Sequence, residues 1–391
     1  MEDVIKVYHF HNGGGGGVLS VIKNLIKFSN DPSIENHIIH TIDRDKIKHY
    51  QPEKIEKVSS QQVFFYSSRG NLLHTCRQLA KVIPGEKAIL VAHDLLELAM
   101  ASNLGLQNKV VQIVHGDYQY YYDLAVLHEQ AVDAYITVAG TIQKKLQSLL
   151  PSKKDSIHYL PFPLPEACCE GNEQRGDTIA FVGRCTEDKG YHLLPSVAKM
   201  VQDKGIALSW HIVGKMPDEI KAKYTWDTSI DVKFYGEVAN ETVNKLLCKM
   251  RYFILPSLAE GTPVCLVEAM KAGAVSIVNN LTGGIQELVK NGETGFLAKN
   301  NLPEEYAGVI SSLYKSEVLQ EKIRNNGRKL SNDLFNPVMN TKAYENIYKE
   351  LFLQQTKTKP AVKVYGSRLD NSLYPNWMVV LLRKAAALLK N

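Results

Sequence analysis

The sequence lacks the features that mark a secreted, membrane-spanning or zinc-binding protein. None of its apolar runs approaches the roughly 18 residues that a spanning helix needs. The N-terminal stretch MEDVIKVYHF has an acidic start and no long apolar core, so no signal peptide is expected. The six cysteines include no Cys-x-x-Cys pair and no zinc spacing. We therefore expect a cytoplasmic protein whose free thiols pack as small apolar side chains.

The body of the chain also lacks a charge excess. Residues 356–391 contain seven Lys or Arg and one Asp, a net charge of +6, whereas the whole chain carries +5. Residues 1–355 therefore carry a net charge of −1. A protein that binds nucleic acid typically presents a basic face with aromatic side chains. We expect no nucleic-acid partner, and a basicity that is confined to the C-terminal tail.

The chain does contain a repeated alternation of short apolar runs and helical stretches, which is typical of βαβ units and parallel sheets. A length of 391 residues suits two domains better than one core. The proline-rich and then polar stretch 161–177 predicts the linker between them. The predicted division is a first domain at 1–162, a second at 163–335, a C-terminal helix at 336–355 and a basic tail at 356–391.

One stretch, Arg251–Leu297, combines a strand, a loop and a helix in a pattern typical of ligand sites. An apolar run ends at Leu255, the loop carries Glu260, and the helix that starts near Pro263 contains Glu268. Open α/β sheets bind ligands outside the carboxyl ends of their strands, and a helix N-terminus attracts anions. The pattern therefore indicates a ligand with both hydroxyl and phosphate groups. The alternative is a capped helix with two surface glutamates.

A second stretch, FVGRCTEDKG, places a glycine and two cations after a predicted strand. Gly183 frees the turn, Arg184 lies at the strand end, and Lys189 opens the next helix. A planar guanidinium and a mobile ammonium group together suit a diphosphate. The alternative is that both side chains are simply solvated.

Five consecutive glycines, Gly13–Gly17, separate the first predicted strand from a helix and let the backbone approach a phosphate or a sugar. The run also matches G-x-G-x-x-G, but a dinucleotide site needs an acidic residue about 20 positions further on, and Asp43 comes late. A nicotinamide-dependent oxidoreductase is therefore the less favoured alternative. Asp43 and Asp45 form an Asp-x-Asp that we interpret as part of a solvated loop rather than a metal site.

The Glu-x7-Glu pattern within PSLAEGTPVCLVEAMKAG and the stretch FVGR-x4-KG resemble the signature of glycosyltransferase family 4. The resemblance covers about Val4 to Phe352 and is loose in the first domain. It implies a GT-B fold, in which two Rossmann-like, doubly wound domains face a central cleft. It also implies a retaining, metal-independent transferase of the hexosyltransferase type that moves a sugar from a nucleoside diphosphate sugar to a hydroxyl acceptor, without a cofactor. A GT-B epimerase acting on nucleotide sugars is an alternative.

The resemblance also assigns roles to individual residues. Arg184 and Lys189 would hold the diphosphate, Glu260 the sugar hydroxyls and Glu268 the ribose. His115, at the end of a predicted first-domain strand, would lie near the donor sugar. Further donor contacts are implied for Gly14, Gly15, Gly16, Gly214, Glu237, Gly261, Thr262, Pro263 and Val264.

The first domain is expected to bind the acceptor, a glycan or a lipid-linked saccharide of cell-surface polysaccharide synthesis. Asp117 and the tyrosines of Tyr118–Tyr122 offer it hydroxyl groups and stacking faces. The alternative is that these tyrosines are ordinary core and surface aromatic residues.

The C-terminal stretch NWMVVLLRKAAALLK predicts a basic amphipathic helix at 376–390. Trp377 and Leu381 belong to its broad apolar side, whereas Arg383, Lys384 and Lys390 fall toward the other side. Such a helix suits an anionic membrane surface, here the inner face of the membrane. The alternative is that it packs against the first domain or against a partner subunit.

Overall fold

The computed structural model describes residues 4–14, 16–83, 87–169, 175–355, 358–363 and 366–389. Within these residues, the strands form two parallel sheets, one in each half of the chain. Two residues named above, Gly15 and Lys390, lie outside the described residues.

The first sheet alternates with helices along the chain. Its unit consists of β1 (Ile5–His11), α1 (Gly17–Phe28), β2 (Ile34–Asp43), β3 (Ser60–Tyr66), α2 (Leu72–Ala80), β4 (Ala88–Ala92), α3 (Leu95–Leu104), β5 (Lys109–Val114), α4 (Gln119–Leu127), β6 (Ala134–Thr137), α5 (Gly140–Leu149) and β7 (Ile157–Tyr159). The strands lie in the order β3-β2-β1-β4-β5-β6-β7, and neighbouring strands are parallel.

The second sheet is built in the same way. Its unit consists of β8 (Thr178–Val182), α6 (Leu194–Asp203), β9 (Ser209–Val213), α7 (Asp218–Lys223), β10 (Val232–Gly236), α8 (Asn240–Cys248), β11 (Tyr252–Leu255), α9 (Val264–Ala272), β12 (Val275–Asn279), α10 (Gly284–Leu288), β13 (Phe296–Ala298), α11 (Pro303–Tyr314) and α12 (Glu317–Leu334). The strand order is β10-β9-β8-β11-β12-β13. Two more helices follow, α13 (Pro337–Leu353) and α14 (Asn376–Leu388).

The central strands are buried along their whole length because both faces of each sheet are covered. Every residue of β4, β5, β11 and β12 is buried, as expected in a doubly wound parallel sheet. The strand order reverses beside β1 in the first sheet and beside β8 in the second. In such sheets the crevice at the reversal point, outside the carboxyl ends of the strands, is where ligands bind.

The two places where the chain passes between the units are tied to one buried lysine. Lys271 of α9 donates to the carbonyl oxygens of Leu164 (2.7 Å), before the second unit, and Phe335 (3.0 Å), after it. Burial lowers the pKa of Lys271 to about 8. Beyond this point α13 returns to the first unit, where Glu345 accepts a hydrogen bond of 2.6 Å from Ser29. Both crossings are therefore anchored to the same helix.

The expectation of free thiols throughout is wrong for two of the six cysteines. Cys169 and Cys248 form a disulfide with a Cα–Cα distance of 5.3 Å, whereas Cys76 and Cys185 are buried free thiols. The partners are 79 positions apart, so no local spacing signals the bond. Because disulfides are rare in a reducing cytosol, the cysteines no longer support the cytoplasmic expectation.

In the Asp-x-Asp sequence, Asp45 is exposed in a loop, as expected, whereas Asp43 is not. Asp43 is buried at the end of β2 and accepts hydrogen bonds from the backbone amides of Asp45 (3.1 Å) and Ser68 (3.0 Å). Asp45 accepts one from the Ser67 hydroxyl (2.5 Å). The two carboxylates hold the turn that follows β3, which explains their spacing without a ligand.

The C-terminal tail is folded onto the first unit. Lys359 is buried and donates to Asp133 Oδ2 at 2.5 Å. Asp370 accepts from the backbone amide of Leu72, at the start of α2, and pairs with Arg383, both at 2.7 Å. As expected, Arg383 does not share the exposed apolar side of its helix, and the buried carboxylate of Asp370 holds its guanidinium against the first unit.

Helix α14 buries only part of its apolar surface against this unit. Val379 is fully buried, but Trp377, Leu381 and Leu388 are 66%, 58% and 79% exposed. Of the helices in the described ranges, none combines the length and the apolarity needed to cross a bilayer. The tail therefore packs on its own chain and still presents apolar side chains to the surroundings.

Candidate active site

Two loops at the carboxyl ends of β8 and β11 are locked together by backbone contacts. Leu258 N donates to the carbonyl oxygen of Asp188 at 2.8 Å. Gly190 has a φ of +73°, and a Cβ there would lie 2.0 Å from the carbonyl oxygen of Pro256. Only glycine fits this left-handed position against a neighbouring backbone. The contact places Lys189, one residue earlier, beside the loop that carries Glu260.

Lys189 and Glu260 form an ion pair at the centre of the candidate site. Lys189 Nζ lies 2.7 Å from Glu260 Oε1, and the two side chains are only 18% and 11% exposed. Burial by itself lowers the pKa of Lys189, but the adjacent carboxylate outweighs burial, and the pKa is raised. The ammonium group of Lys189 is therefore charged at neutral pH. Its partner, Glu260, lies 71 residues later in the sequence.

The start of α9 adds backbone donors to this ion pair. Pro263 precedes the helix, and its carbonyl oxygen accepts the first intrahelical bonds from Leu266 (3.1 Å) and Val267 (3.2 Å). The amides of Val264 and Cys265 come before those bonds and have no partner within the helix. Such a helix start favours an anion.

The glycine loop faces this helix start from the first unit. Gly13 and Gly16 have φ angles of +78° and +124°, which the loop needs in order to turn between β1 and α1. A Cβ on Gly17 would lie 3.0 Å from Val264 Cγ2. Gly14 is held by its amide, which donates to Asn12 Oδ1 at 3.0 Å. The predicted meeting of the loop and the anion site is thus present in the geometry.

Glu268 lies further along α9 and is almost completely buried. Its Oε1 is 3.5 Å from Asn240 Nδ2, which also donates to Ser20 Oγ of the first unit at 3.0 Å. Burial raises the pKa of Glu268 to about 8, so the carboxyl group is largely protonated at pH 7. The protonated group offers one donor and one acceptor to a ligand.

Three of the residues predicted to contact the donor are either exposed or explained by packing alone. Arg184 is exposed and pairs with Asp188 at 3.3 Å, so it lies at the rim of the site. Glu237 is exposed on the turn after β10. A Cβ on Gly214 would lie 1.9 Å from the carbonyl oxygen of Gly183, and the packing of two turns therefore accounts for this glycine.

His115 comes from the first unit and meets the Glu260 loop directly. A Cβ on Gly261 would lie 2.3 Å from the carbonyl oxygen of His115 and 2.5 Å from Gly116 Cα. Burial lowers the pKa of His115 to about 4, so its imidazole is neutral at pH 7. His115 Nε2 lies 2.7 Å from His93 Nδ1. The sequence places both histidines at strand ends but does not reveal this bond.

Several contacts between the two units involve residues that the sequence patterns do not single out. Thr282 Oγ1 donates to Asp117 Oδ2 at 2.9 Å, and Thr141 N donates to Glu287 Oε1 at 3.1 Å. Thr262 Oγ1 donates to the carbonyl oxygen of Val138 at 3.1 Å. Thr282 and Glu287 could not be found from spacing, because their partners lie more than a hundred positions away.

The tyrosines are divided between the cleft and the core. Tyr118 donates to the carbonyl oxygen of Ala259 at 2.9 Å, and Tyr120 donates to Asp94. Tyr122 is buried and donates to Asp117 at 2.7 Å. The core interpretation therefore holds for Tyr122, and the acceptor contact expected of the other tyrosines stays a prediction.

No group of three or more His, Cys, Asp and Glu side chains is arranged to hold a metal ion among the residues that the structure describes. The charged groups at the site are Lys189, Glu260 and, at its rim, Arg184.

The candidate site lies in the part of the chain that matches a known family. Residues 170–330 match the family described as glycosyl transferases group 1. The match covers most of the second domain. The chain is 30% identical over 252 residues to the capsular polysaccharide biosynthesis glycosyltransferase CapM of Staphylococcus aureus, a match that covers 61% of this chain and 63% of CapM. The chain thus spans less than two thirds of the length of this relative.

Solved structures extend the likeness in fold to both domains. The Anabaena protein HepE, crystallised with UDP and glucose, aligns over 88% of this chain and 100% of its own, with a TM-score of 0.70 and 15% identity. Staphylococcus aureus TarM aligns over 90% of this chain and 100% of its own, with a TM-score of 0.73 and 14% identity. The predicted GT-B fold is confirmed.

The contact at Gly261 predicts that a methyl group on this residue will push the two domains apart. We expect Gly261→Ala to lose about 1–3 kcal/mol of stability, the usual range for overpacking, and to increase the radius of gyration in small-angle X-ray scattering. Gly308→Ala in α11 is the matched control, because a Cβ there meets nothing within 4 Å. Scattering curves that are the same for both variants would contradict the contact.

The buried Glu268 predicts a specific pH dependence of stability. The ordinary pKa of a glutamate side chain is 4.5, and burial raises the pKa of Glu268 to about 8 in the folded protein, so folding takes up a proton between these pH values. The free energy of unfolding therefore falls as the pH rises through this window. Relative to the wild type, Glu268→Gln should gain stability from pH 5 to pH 8, as measured by urea unfolding. Glu237→Gln, at an exposed position, controls for the loss of one carboxyl group, and equal pH profiles for all three proteins would contradict the burial of Glu268.

Proposed function

We propose that this protein is a glycosyltransferase of the hexosyltransferase type, which moves a sugar from a nucleoside diphosphate sugar to a hydroxyl acceptor. The observation that carries the proposal is the Lys189–Glu260 ion pair beside the start of α9. The pair offers a cation and two amides to a diphosphate, and a carboxylate to the hydroxyl groups of the adjoining sugar. The same loop touches His115 of the opposite domain, so the donor sugar would be held between the domains.

The chemical step requires the bond between the anomeric carbon and the phosphate oxygen to break while a bond to the acceptor oxygen forms. Negative charge develops on the leaving diphosphate, and preorganised donors stabilise such charge. Lys189 and the amides of Val264 and Cys265 are suited to this task, and Arg184 would reach in from the rim. The acceptor proton would pass to the leaving phosphate, so no protein base is assigned.

The other predicted donor contacts fit around this core. Glu268 would bind the ribose, Gly14 and Gly16 would pass close to the phosphates, and Gly214 and Glu237 would border the base. We further propose that transfer retains the anomeric configuration and needs no metal ion. Lys189 and the helix start support the second point, since they supply positive potential where the leaving group would sit.

The proposed donor is a UDP-sugar, since HepE has been crystallised with UDP and glucose and TarM with UDP. The proposed acceptor is a glycan or a lipid-linked saccharide of cell-surface polysaccharide synthesis. The role printed in the name of CapM, capsular polysaccharide biosynthesis, supports this acceptor class.

The ion pair provides the sharpest test of the proposed function. Glu260→Gln should lower transfer from UDP-sugars by about 100-fold or more, the effect expected when a group that holds the reacting sugar is lost. Free UDP should still bind, because Glu260 faces the sugar. Lys189→Ala should instead weaken UDP binding by about tenfold, since it removes a charge-assisted contact. Calorimetry measures UDP binding, and a transfer assay in EDTA measures activity and tests metal independence together.

The matched control is an ion pair of the same charges at the surface of the same domain. Glu241 and Lys245 of α8 lie 2.8 Å apart and are 80% and 67% exposed. Glu241→Gln and Lys245→Ala should change neither transfer nor UDP affinity. Near-normal transfer by Glu260→Gln, or loss of transfer in EDTA, would contradict the assignment.

We also propose that the tail binds an anionic membrane at its cytoplasmic face. Trp377, Leu381 and Leu388 are exposed although α14 is docked, and residues 356–391 carry a net charge of +6. An aromatic and aliphatic face with surrounding basic residues suits a membrane interface. Such a location would bring the cleft close to a lipid-linked acceptor.

This proposal predicts that Trp377→Ser combined with Leu381→Ser will weaken binding to vesicles that contain phosphatidylglycerol by about tenfold or more, since two large apolar side chains no longer insert. Flotation measures the bound fraction. Point substitutions are better than truncation here, because truncation would also remove Lys359 from its partner Asp133.

Val318→Ser combined with Leu353→Ser is the control, because both side chains are 82% exposed and lie outside the tail. Equal flotation of the two double variants would contradict the membrane role. A dimer that only the tail variant loses, measured by light scattering, would instead assign the apolar face to a second copy of the chain.

A further inference from the structure

We propose that His93 is a positioning residue that fixes the tautomer of His115, with the proton of His115 on Nδ1. In this state His115 donates a hydrogen bond to the sugar of the donor, while Glu260 accepts one. The inference rests on the proposed function for the sugar contact. The tautomer itself is a property of the free protein.

The two imidazoles are joined in the geometry of a true hydrogen bond. His93 Nδ1 and His115 Nε2 are 2.7 Å apart. The ring planes differ by only 20°, and the centroids are 5.0 Å apart, a separation that the bond and the two ring radii account for. The bond therefore lies near both ring planes, where the nitrogen lone pairs point.

Only one proton can occupy this bond. Burial lowers the pKa of His115 to about 4 and that of His93 well below its ordinary value, so both rings are neutral at pH 7. A neutral imidazole has one N–H donor and one acceptor nitrogen. The two rings must therefore share a tautomer, either with both protons on Nδ1 or with both on Nε2.

The surroundings of His93 favour the first arrangement. His93 Nε2 is buried and has no hydrogen-bond partner among the described residues. An orphaned buried N–H group is rarer in proteins than an under-satisfied acceptor, so a lone pair on this nitrogen is the favoured state. His93 then carries its proton on Nδ1 and donates it to His115 Nε2, which leaves the proton of His115 on Nδ1.

The backbone around His93 holds the ring in place. The amides of His93 and Asp94 both donate to Glu97 Oε1 at 2.7 Å, in a capping box at the start of α3. The ring centroid of His9 lies 6.0 Å from that of His93. His93 is thus fixed from its own helix and packed by β1, which allows it to orient His115 without touching the ligand.

The consequence is a complementary pair of groups on the two sides of the cleft. The backbone carbonyl of His115 contacts the Glu260 loop at Gly261, so the two residues come from segments that touch each other. A hydroxyl group of the donor sugar can accept from His115 Nδ1 and donate to Glu260. A hydroxyl group uses both abilities only when it meets one donor and one acceptor, so the fixed tautomer contributes to recognition of the sugar.

The test is nitrogen NMR of the full-length protein labelled on histidine, at pH 7. In the wild type, we expect both His93 and His115 to be protonated on Nδ1. In His93→Leu, the hydrogen bond to His115 Nε2 is lost. His115 should then be a mixture of the two tautomers or change to the Nε2 tautomer. In His93→Asn, the side-chain amide can still donate to His115 Nε2, so the wild-type tautomer should return.

Ligand binding gives a second measurement with the same variants. His93→Leu should weaken the binding of UDP-glucose by about tenfold, which corresponds to the loss of about one hydrogen bond to the sugar. The affinity for UDP should not change. His128→Leu is the control, because His128 is equally buried, bonds Ser102 at 2.8 Å through Nδ1 and lies away from the cleft. It should leave both the His115 tautomer and the UDP-glucose affinity as in the wild type.

The outcomes separate this inference from the proposed function. Protonation of wild-type His115 on Nε2, or an unchanged tautomer in His93→Leu, would overturn the role of His93, whatever the activity. If His93→Leu fails to fold, the wild-type spectrum and His93→Asn still decide the question. A wild type with the Nδ1 tautomer but no transfer from any UDP-sugar would refute the proposed function and leave the tautomer lock standing.

Discussion

The close approach of Gly261 to the backbone of His115 is the constraint on which the site depends. It joins the carboxyl edges of two separate sheets, and it tolerates no side chain at residue 261. Through it the loop that carries Glu260 in the second domain meets the backbone of His115 and Gly116 in the first domain. Two neighbouring hydrogen bonds between the domains, from Thr262 to Val138 and from Thr282 to Asp117, stabilise this contact.

Electrostatics explains why the charged groups remain stable in this narrow cleft. A buried ion costs free energy unless it is paired, and Lys189 and Glu260 meet this need in each other. Glu268 has no such partner, and burial raises its pKa to about 8, so it is mostly neutral at pH 7. The phosphate groups of the proposed substrate would compete with Glu260 for Lys189, and its hydroxyl groups would supply new partners for both glutamates. In the free protein, the ion pair stabilises the two charges that the substrate would otherwise contact.

The C-terminal tail has two kinds of contact that serve different purposes. Buried polar contacts of Lys359 and Asp370 attach it to the first domain, where each satisfies backbone groups or a carboxylate. The apolar residues of α14, by contrast, remain exposed. Attachment to the domain and availability to a membrane are therefore compatible, although the sequence presents them as alternatives.

The sequence by itself determined the elements and the two signature stretches, because apolar periodicity, glycines and helix starts act locally. The apolar run that is predicted to end at Leu255 is found as β11, which ends at that residue. The tertiary structure decided which side chains meet: Lys189 with Glu260, His93 with His115, and Cys169 with Cys248. It also turned Arg383 inward and buried Glu268. These results depend on how two sheets pack and on the removal of water from charged groups, and neither is encoded in the spacing of neighbouring residues.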